Sequence, residues 1–270
     1  MGHSNSIKTQ MADNTAYTEY LAQCVKNLKA SASEDLASFE KVTTKYYSDN
    51  NWKMTLMGQG EHADYKQSDE FSLDGITKAI KGIVDGFFGT EKLPAGSTKT
   101  GDASKLPTLL AGGEKALILQ AAMTLVTNLL EIFSSKTELT YTCTSNHAII
   151  LPGLTLHIFV MNAGYQSTNY FGGHSIEENI FVYKLIWSAE QEKTMGTKTV
   201  MDAYTAQLNK LIDSMGKKQN QFDDEIARED PDLGKLKKMQ DAIDFMLQQI
   251  ARFRTLLNGV TTNSLMPVRV

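Results

Sequence analysis

The central segment ALILQAAMTLVTNLLEIF, residues 116–133, constrains the fold of this chain more than any other feature. Its apolar residues lie on all sides of a helix, and no charge interrupts it before Glu131. A narrow polar stripe consists of Gln120, Thr124, Thr127 and Asn128. A helix with this pattern has to be buried in protein or in lipid. It would span about 27 Å, which is marginal against a hydrocarbon core of about 30 Å. We therefore expect a buried helix with the option of entering a membrane.

Composition and charge exclude several classes of protein. The chain has 270 residues and a net charge of −4, and it lacks the basic face that general nucleic-acid binding requires. Only three charged residues, Glu131, Lys136 and Glu138, occur between positions 116 and 176. The two cysteines, Cys24 and Cys143, are too few for a disulfide framework. A single disulfide between them is left as an alternative to two separate thiols.

The first residues, MGHSNSIKTQMADN, lack the apolar core of a secretory signal peptide. We expect a flexible N-terminus over residues 1–12 and a soluble protein, released or secreted without a signal peptide if it leaves the cell. The segment also fits the N-myristoylation pattern, with Gly2 and Ser6 in the required places, so lipidation at Gly2 stays an alternative.

Long amphipathic helices are predicted at both ends of the chain. Apolar residues at three- and four-residue steps predict one helix over residues 13–50 and a helical hairpin over residues 191–262, followed by a tail at 263–270. Asp230 as N-cap and Pro231 at the first helical position predict the start of the second arm. We expect the three helices to form an elongated bundle. The near-heptad positions of the second arm are candidates for assembly: Leu236, Ile243, Ile250, Phe253 and Leu257.

Residues 51–190 are predicted to form an α+β head on this bundle. Two strands, 52–57 and 65–73, bracket the presumed turn GQGEHAD. An antiparallel meander is predicted over residues 139–144, 147–151, 154–162 and 179–187, and the two helices of the head cover residues 74–88 and 116–133.

Candidate membrane contacts lie in the helix DGITKAIKGIVDGFF, in an apolar strand and in the loop 163–178. The helix has one apolar face and lysines on the other, which suits either a membrane interface or the covering of a sheet. A loop rich in Gly, Ser, Thr and Pro follows at 89–107 and is predicted to be mobile. His174 is a candidate pH sensor. The candidate contacts are Ile76, Ile80, Ile83, Val84, Phe87, Phe88, Leu156, Ile158, Phe159, Val160, Tyr170 and Phe171.

No motif for catalysis, metal binding or a cofactor occurs. His157 alternates with apolar neighbours in a strand and is interpreted as a core residue with a satisfied hydrogen bond. We therefore expect no cofactor, no small-molecule substrate and no enzymatic activity. An enzyme without a recognisable local motif is the minority alternative.

The arrangement resembles the helical-bundle pore-forming toxins of the haemolysin E and Hbl type, which combine long terminal helices with an apolar tongue or helix in the head. Residues 74–188 also resemble the Cyt δ-endotoxins in their order of elements, but this chain adds terminal helices. The resemblance implies a pore-forming or membrane-perturbing protein that is soluble until triggered and oligomerises on a lipid membrane.

The alternative is a structural or interaction protein that assembles, with copies of itself or with a related subunit, through its C-terminal hairpin. The segment EDPDLGKLKKMQDAIDF resembles the proline-turn hairpins of secretion-needle subunits. In that case the apolar centre of the chain would be an ordinary core.

Overall fold

The computed structural model describes residues 15–67, 74–88, 92–100, 114–134, 141–166 and 175–264. The described residues form both helices and a sheet, so the predicted α+β class is confirmed. In chain order the elements are α1 (Thr15–Ser31), α2 (Ser33–Ser48), β1 (Thr55–Gln67), α3 (Asp74–Phe88), β2 (Ser97–Lys99), α4 (Glu114–Ser134), β3 (Thr142–Leu151), β4 (Leu154–Gln166), β5 (Ser175–Trp187), α5 (Ala189–Thr194), α6 (Thr197–Ile226) and α7 (Leu233–Ser264).

The five strands form one antiparallel sheet in the order β2-β1-β5-β4-β3. The predicted meander is confirmed as β3, β4 and β5, but the segments 139–144 and 147–151 contribute to a single strand. Strands β4 and β5 also extend into the predicted loop 163–178, where Gly164 pairs with Glu177. The tight turn at Pro152 and Gly153 is present, and Gly153 has a φ of +79°, which favours glycine.

The predicted turn GQGEHAD is wrong, because these residues lie inside the continuous strand β1. Its glycines allow close packing instead of chain reversal. A Cβ atom on Gly58 would lie 2.0 Å from Cζ of Phe87 on α3, and one on Gly60 would lie 2.8 Å from the Tyr183 ring. Glycine inside a strand occurs where another group packs closely against the backbone, and also where the strand bends. The sequence alone does not distinguish these two roles.

One face of the sheet is covered by α1 and α2. Leu28, Ala32 and Phe39 from these helices pack with Phe159 and Met161 of β4. Within the described residues, the helix predicted over 13–50 is interrupted at Ala32 and ends at Ser48. The hydrogen bonds from Ala32 N to Leu28 O (2.9 Å) and from Leu36 N to Ala32 O (2.8 Å) bridge the interruption. The predicted bundle with the C-terminal hairpin is not confirmed. An apolar stripe identifies the buried face of a helix but not the element that covers it.

The other face is covered by α3 and α4, and the hairpin of α6 and α7 packs on the outer side of α4. Leu117 and Ala121 of α4 join a cluster with Tyr204 of α6 and Phe253 of α7. The prediction that α4 is a buried helix is confirmed, since its side chains from Leu117 to Val126 are buried or half-buried. The layers are therefore α1/α2, the sheet, α3/α4 and the hairpin.

The turn of the hairpin is organised by a buried carboxylate. Glu225 accepts hydrogen bonds from Lys235 Nζ (2.6 Å), Arg228 Nη1 (3.3 Å) and the backbone N–H of Asp232 (3.3 Å). The predicted N-cap at Asp230 is wrong by two residues: α7 begins at Leu233, and Oδ1 of Asp232 accepts from the N–H of Lys235 at 3.0 Å. At the same end of the molecule, Lys238 of α7 pairs with Glu177 of β5 at 2.9 Å.

The close contact at Gly58 leads to a first prediction. Gly58→Ala should lower the free energy of unfolding by about 1–3 kcal/mol, because the added methyl group overlaps the Phe87 ring. Gly216→Ala in α6 is the matched control. Its Cβ meets no atom within 4 Å, so helix propensity should raise stability by up to about 1 kcal/mol. Urea denaturation measures both, and equal effects would contradict the packing role of Gly58.

Candidate functional site

The inner helical layer, formed by α3 and α4, contains half of the predicted membrane-contact residues, all of them in α3. The apolar face of α3 is buried against the sheet and α4, with each of its last five predicted contacts at most 6% exposed. The outward face carries the exposed Lys78 and Lys81. In this conformation α3 thus covers a sheet, which is the second of the two interpretations of its pattern. The buried contacts are Ile80, Ile83, Val84, Phe87 and Phe88.

The apolar strand contributes its predicted contacts to two different layers. Leu156, Ile158 and Val160 face the inner helical layer. Phe159 lies on the opposite face of the sheet, where its ring centroid is 5.6 Å from that of Phe39. This split follows from the alternation of side chains along a strand. Only the first three would therefore be uncovered together if the inner helical layer moved away.

Some of the predicted residues lie outside the part of the chain that the structure describes. Tyr170, Phe171 and the candidate pH sensor His174 lie outside the described residues, and the side chain of Ile76 does so as well. Most of the predicted mobile loop 89–107 lies outside them too. Within residues 92–100, however, the loop is ordered as the edge strand β2 with its flanks.

A buried carboxylate joins the two helices of the layer. Asp85 of α3, whose side chain is 7% exposed, forms an ion pair with Lys115 of α4 at 2.6 Å and another with Lys81, one turn earlier on α3. Burial by itself raises the pKa of Asp85, but the hydrogen bonds and charges of Lys115 and Lys81 outweigh it and place the pKa below the ordinary 3.8. The sequence analysis did not single out Asp85, so this contact between the two helices was missed.

The polar stripe of α4 is buried with the rest of that helix. Gln120 donates to Oε1 of Gln249 on α7 at 2.6 Å, and the Thr127 hydroxyl donates to the Met123 carbonyl at 2.9 Å. The hydroxyl of Thr124, which is fully buried, has no hydrogen-bond partner in the described part of the chain. A buried polar group without a partner costs about 1–3 kcal/mol, so the packing around α4 is less favourable than its apolar content suggests.

The assembly residues of the hairpin are mostly used inside the chain. Ile250, Phe253 and Leu257 pack with α4 and α6, and Ile243 is buried as well. Leu236 is half-buried. Assembly through this stripe stays a prediction, and it would require the second arm to exchange these contacts for those of a partner.

A second polar cluster lies between α2 and strands β3 and β4. Nε2 of His157 and the hydroxyl of Tyr47 are 3.1 Å apart, so the interpretation of His157 as a core residue with a satisfied hydrogen bond is confirmed. His147 stacks on His157 with ring centroids 5.4 Å apart, and Tyr46 packs against both rings. Burial, with the positive charges of His147 and Lys184, lowers the pKa of His157 to about 3.

The described ranges contain few candidates for metal or disulfide chemistry. No group of three or more His, Cys, Asp or Glu side chains there is arranged to hold a metal ion. Cys24 and Cys143 are free thiols, which answers the question of a bridge between them. The residues that sequence reasoning missed are Asp85, Glu225 and the packing glycines. The four-residue spacing of Asp85 from Lys81 was the only available signal for the first.

Comparisons of the chain with protein-family models, with curated proteins and with solved structures found no match.

The tie at Asp85 leads to a prediction about stability and pH. Asp85→Asn should lower the free energy of unfolding at neutral pH by about 2 kcal/mol, since hydrogen bonds to charged groups contribute about 1.5–3 kcal/mol. Because the pKa is depressed, this contribution is present above the ordinary pKa of 3.8 and is lost as the pH falls through the folded-state value. Urea denaturation of both proteins should therefore converge in acid. Asp213→Asn, on the exposed face of α6, is the control and should change little.

The burial of His157 leads to a second prediction, about stability in a different pH range. The unfolded chain binds a proton at this histidine below the ordinary pKa of 6.5, whereas the folded chain binds it only near pH 3. Stability should thus fall by about 1.4 kcal/mol per pH unit below that point, or about 2 kcal/mol by pH 5. His157→Gln should remove this part of the pH dependence in urea denaturation. An unchanged slope in the His157 variant would contradict the assignment.

Proposed function

We propose that this protein is a pore-forming or membrane-perturbing protein whose membrane-contact face is stored inside the folded chain until a trigger releases it. The observation that supports the proposal is the state of α3. This helix keeps its whole described apolar face against the protein core while its lysines point outward. A helix with these two faces is equally suited to a membrane interface.

The energetics of release favour this interpretation. Burial of each large apolar side chain of α3 contributes about 1.5–3 kcal/mol relative to water. Lipid tails are as apolar as a protein core, so a helix that moves from the sheet to a bilayer keeps most of this term. The net cost then lies in the specific ties of α3, such as Asp85 with Lys115, and in the sheet face that becomes uncovered.

The uncovered sheet face would itself be a second apolar surface. Leu156, Ile158 and Val160 are all at most 4% exposed beneath the inner helical layer. Exposed apolar surfaces of this kind promote association with lipid or with other copies of a protein. We therefore include oligomerisation on the membrane in the proposal.

In its membrane-bound state, α3 would lie along the membrane surface. None of the helices in the described ranges combines the length and hydropathy needed to cross a membrane. An interfacial helix needs neither, because only one of its faces enters the lipid.

Dye-loaded vesicles test the proposed function. Purified protein should release the dye and float with vesicles of phosphatidylcholine containing about 30% phosphatidylserine at one or more pH values between about 8 and about 4. Absence of both leakage and flotation over that whole range would contradict the proposal.

A charge-reversal pair tests the role of α3. Lys78→Glu, on its exposed face, should weaken binding to the anionic vesicles at least about fivefold, because each lysine near the surface contributes about 1 kcal/mol. Lys26→Glu, on the exposed face of α1 at the other side of the sheet, changes the net charge equally and is the control. Equal losses in the two variants would argue that α3 does not touch the membrane.

A further inference from the structure

Residues 92–100, which we call the strap, cross α3 and join it to the edge of the sheet. Leu93 and Pro94 of the strap pack against two glycines of α3. A Cβ atom on Gly82 would lie 2.8 Å from Cγ of Pro94, and one on Gly86 would lie 2.6 Å from Cδ2 of Leu93. Residues four apart share one face of a helix, so the two glycines form a shallow groove that the strap fills.

The second half of the strap holds the end of α3 and the sheet at once. Nζ of Lys99 donates to the carbonyl of Gly86 at 3.0 Å and lies 5.6 Å from the centre of the Phe87 ring. This carbonyl belongs to the last turn of α3, where carbonyl groups lack partners within the helix and a positive charge is favourable. Next to it, the N–H of Thr100 donates to the carbonyl of Met57 at 3.0 Å.

The strap is attached to the sheet by little backbone pairing. Strand β2 has three residues, Ser97–Lys99, and it is the outermost strand next to β1. Ala95, Gly96, Thr98 and Lys99 are exposed. Short, exposed edge segments open with less free energy than core strands do, and the loss of this strand leaves the other four paired.

We infer that the strap is an autoinhibitory clamp, which keeps α3 on the sheet and has to open before α3 can leave. Its consequence for membranes rests on the proposed function, but the clamp itself is a property of the folded chain. Opening of the strap uncovers the glycine groove. It also takes the positive charge of Lys99 away from the C-terminal end of α3. The ion pair between Asp85 and Lys115 still connects α3 to another element after the strap has opened.

A reversible cross-link tests the clamp. The variant carries Gly82→Cys and Pro94→Cys, with Cys24→Ala and Cys143→Ala to remove the native thiols. A Cβ atom on Gly82 would lie 2.8 Å from Cγ of Pro94. The Cβ atom of residue 94 is one bond further away, which matches the Cβ separation of about 4 Å in a disulfide. Oxidation should slow hydrogen exchange of the α3 amides at least about tenfold relative to the reduced protein, with α6 and α7 unchanged. Unchanged exchange in α3 would overturn the inference.

A second variant keeps the test valid if the cross-linked protein does not fold. Leu93→Ala with Lys99→Ala weakens the strap at half-buried and exposed positions, where folding is tolerant of change. It should speed exchange of the α3 amides about tenfold, whereas Lys92→Ala, at the exposed start of the strap, should not. Equal exchange in these two variants and the native protein would also overturn the clamp.

Vesicle leakage separates the clamp from the proposed function. If both hold, the oxidised variant leaks vesicles at least about tenfold more slowly than the reduced one, and reductant restores leakage. Leakage that is equally fast with the strap locked would overturn the clamp and leave the membrane function standing. Slowed α3 exchange in a protein that never leaks vesicles would support the clamp and contradict the membrane function.

Discussion

The burial of α4 is the constraint on which the rest of this structure depends. A helix that is apolar on all sides needs cover on all sides, and no single neighbour can provide it. The sheet covers one side, and the hairpin of α6 and α7 covers another. This requirement explains why the C-terminal hairpin packs on α4 and leaves the N-terminal helices to cover the far face of the sheet.

The two faces of the sheet differ in chemistry, and this difference separates structural stability from the proposed activity. The face under α1 and α2 includes the hydrogen-bonded pair of Tyr47 and His157, which requires a defined geometry. The face under the inner helical layer is almost wholly apolar. Apolar contacts are not directional, so in the proposed function α3 exchanges this face for lipid with a small change in free energy. On that proposal, the polar contacts of α3 at Asp85 and in the strap control whether the helix stays on the sheet.

Acid changes the charge of these two regions in different pH ranges. His157 lowers stability as the pH falls below its ordinary pKa of 6.5, whereas the pKa of Asp85 lies below its ordinary value of 3.8. Mild acidification would thus loosen the packing between α2 and the sheet before it affected the tie between α3 and α4. The sequence directed attention to His174 as a sensor, but the described histidine with the largest change in pKa is one that the sequence identified as core.

Much of the secondary structure and burial could be predicted, because local periodicity is enough for both. The buried α4, the apolar face of α3, the meander and the hairpin followed from apolar residues spaced at the period of a helix or a strand. What covers each face depends on residues far apart in the chain, and only the tertiary structure decided it. The same holds for Gly58, which serves close packing and not a turn, and for Asp85, which is ionised inside the protein because Lys115 arrives from another helix. The apolar pattern of a helix or strand specifies that one face must be buried. Which element buries that face is determined by packing between residues far apart in the chain.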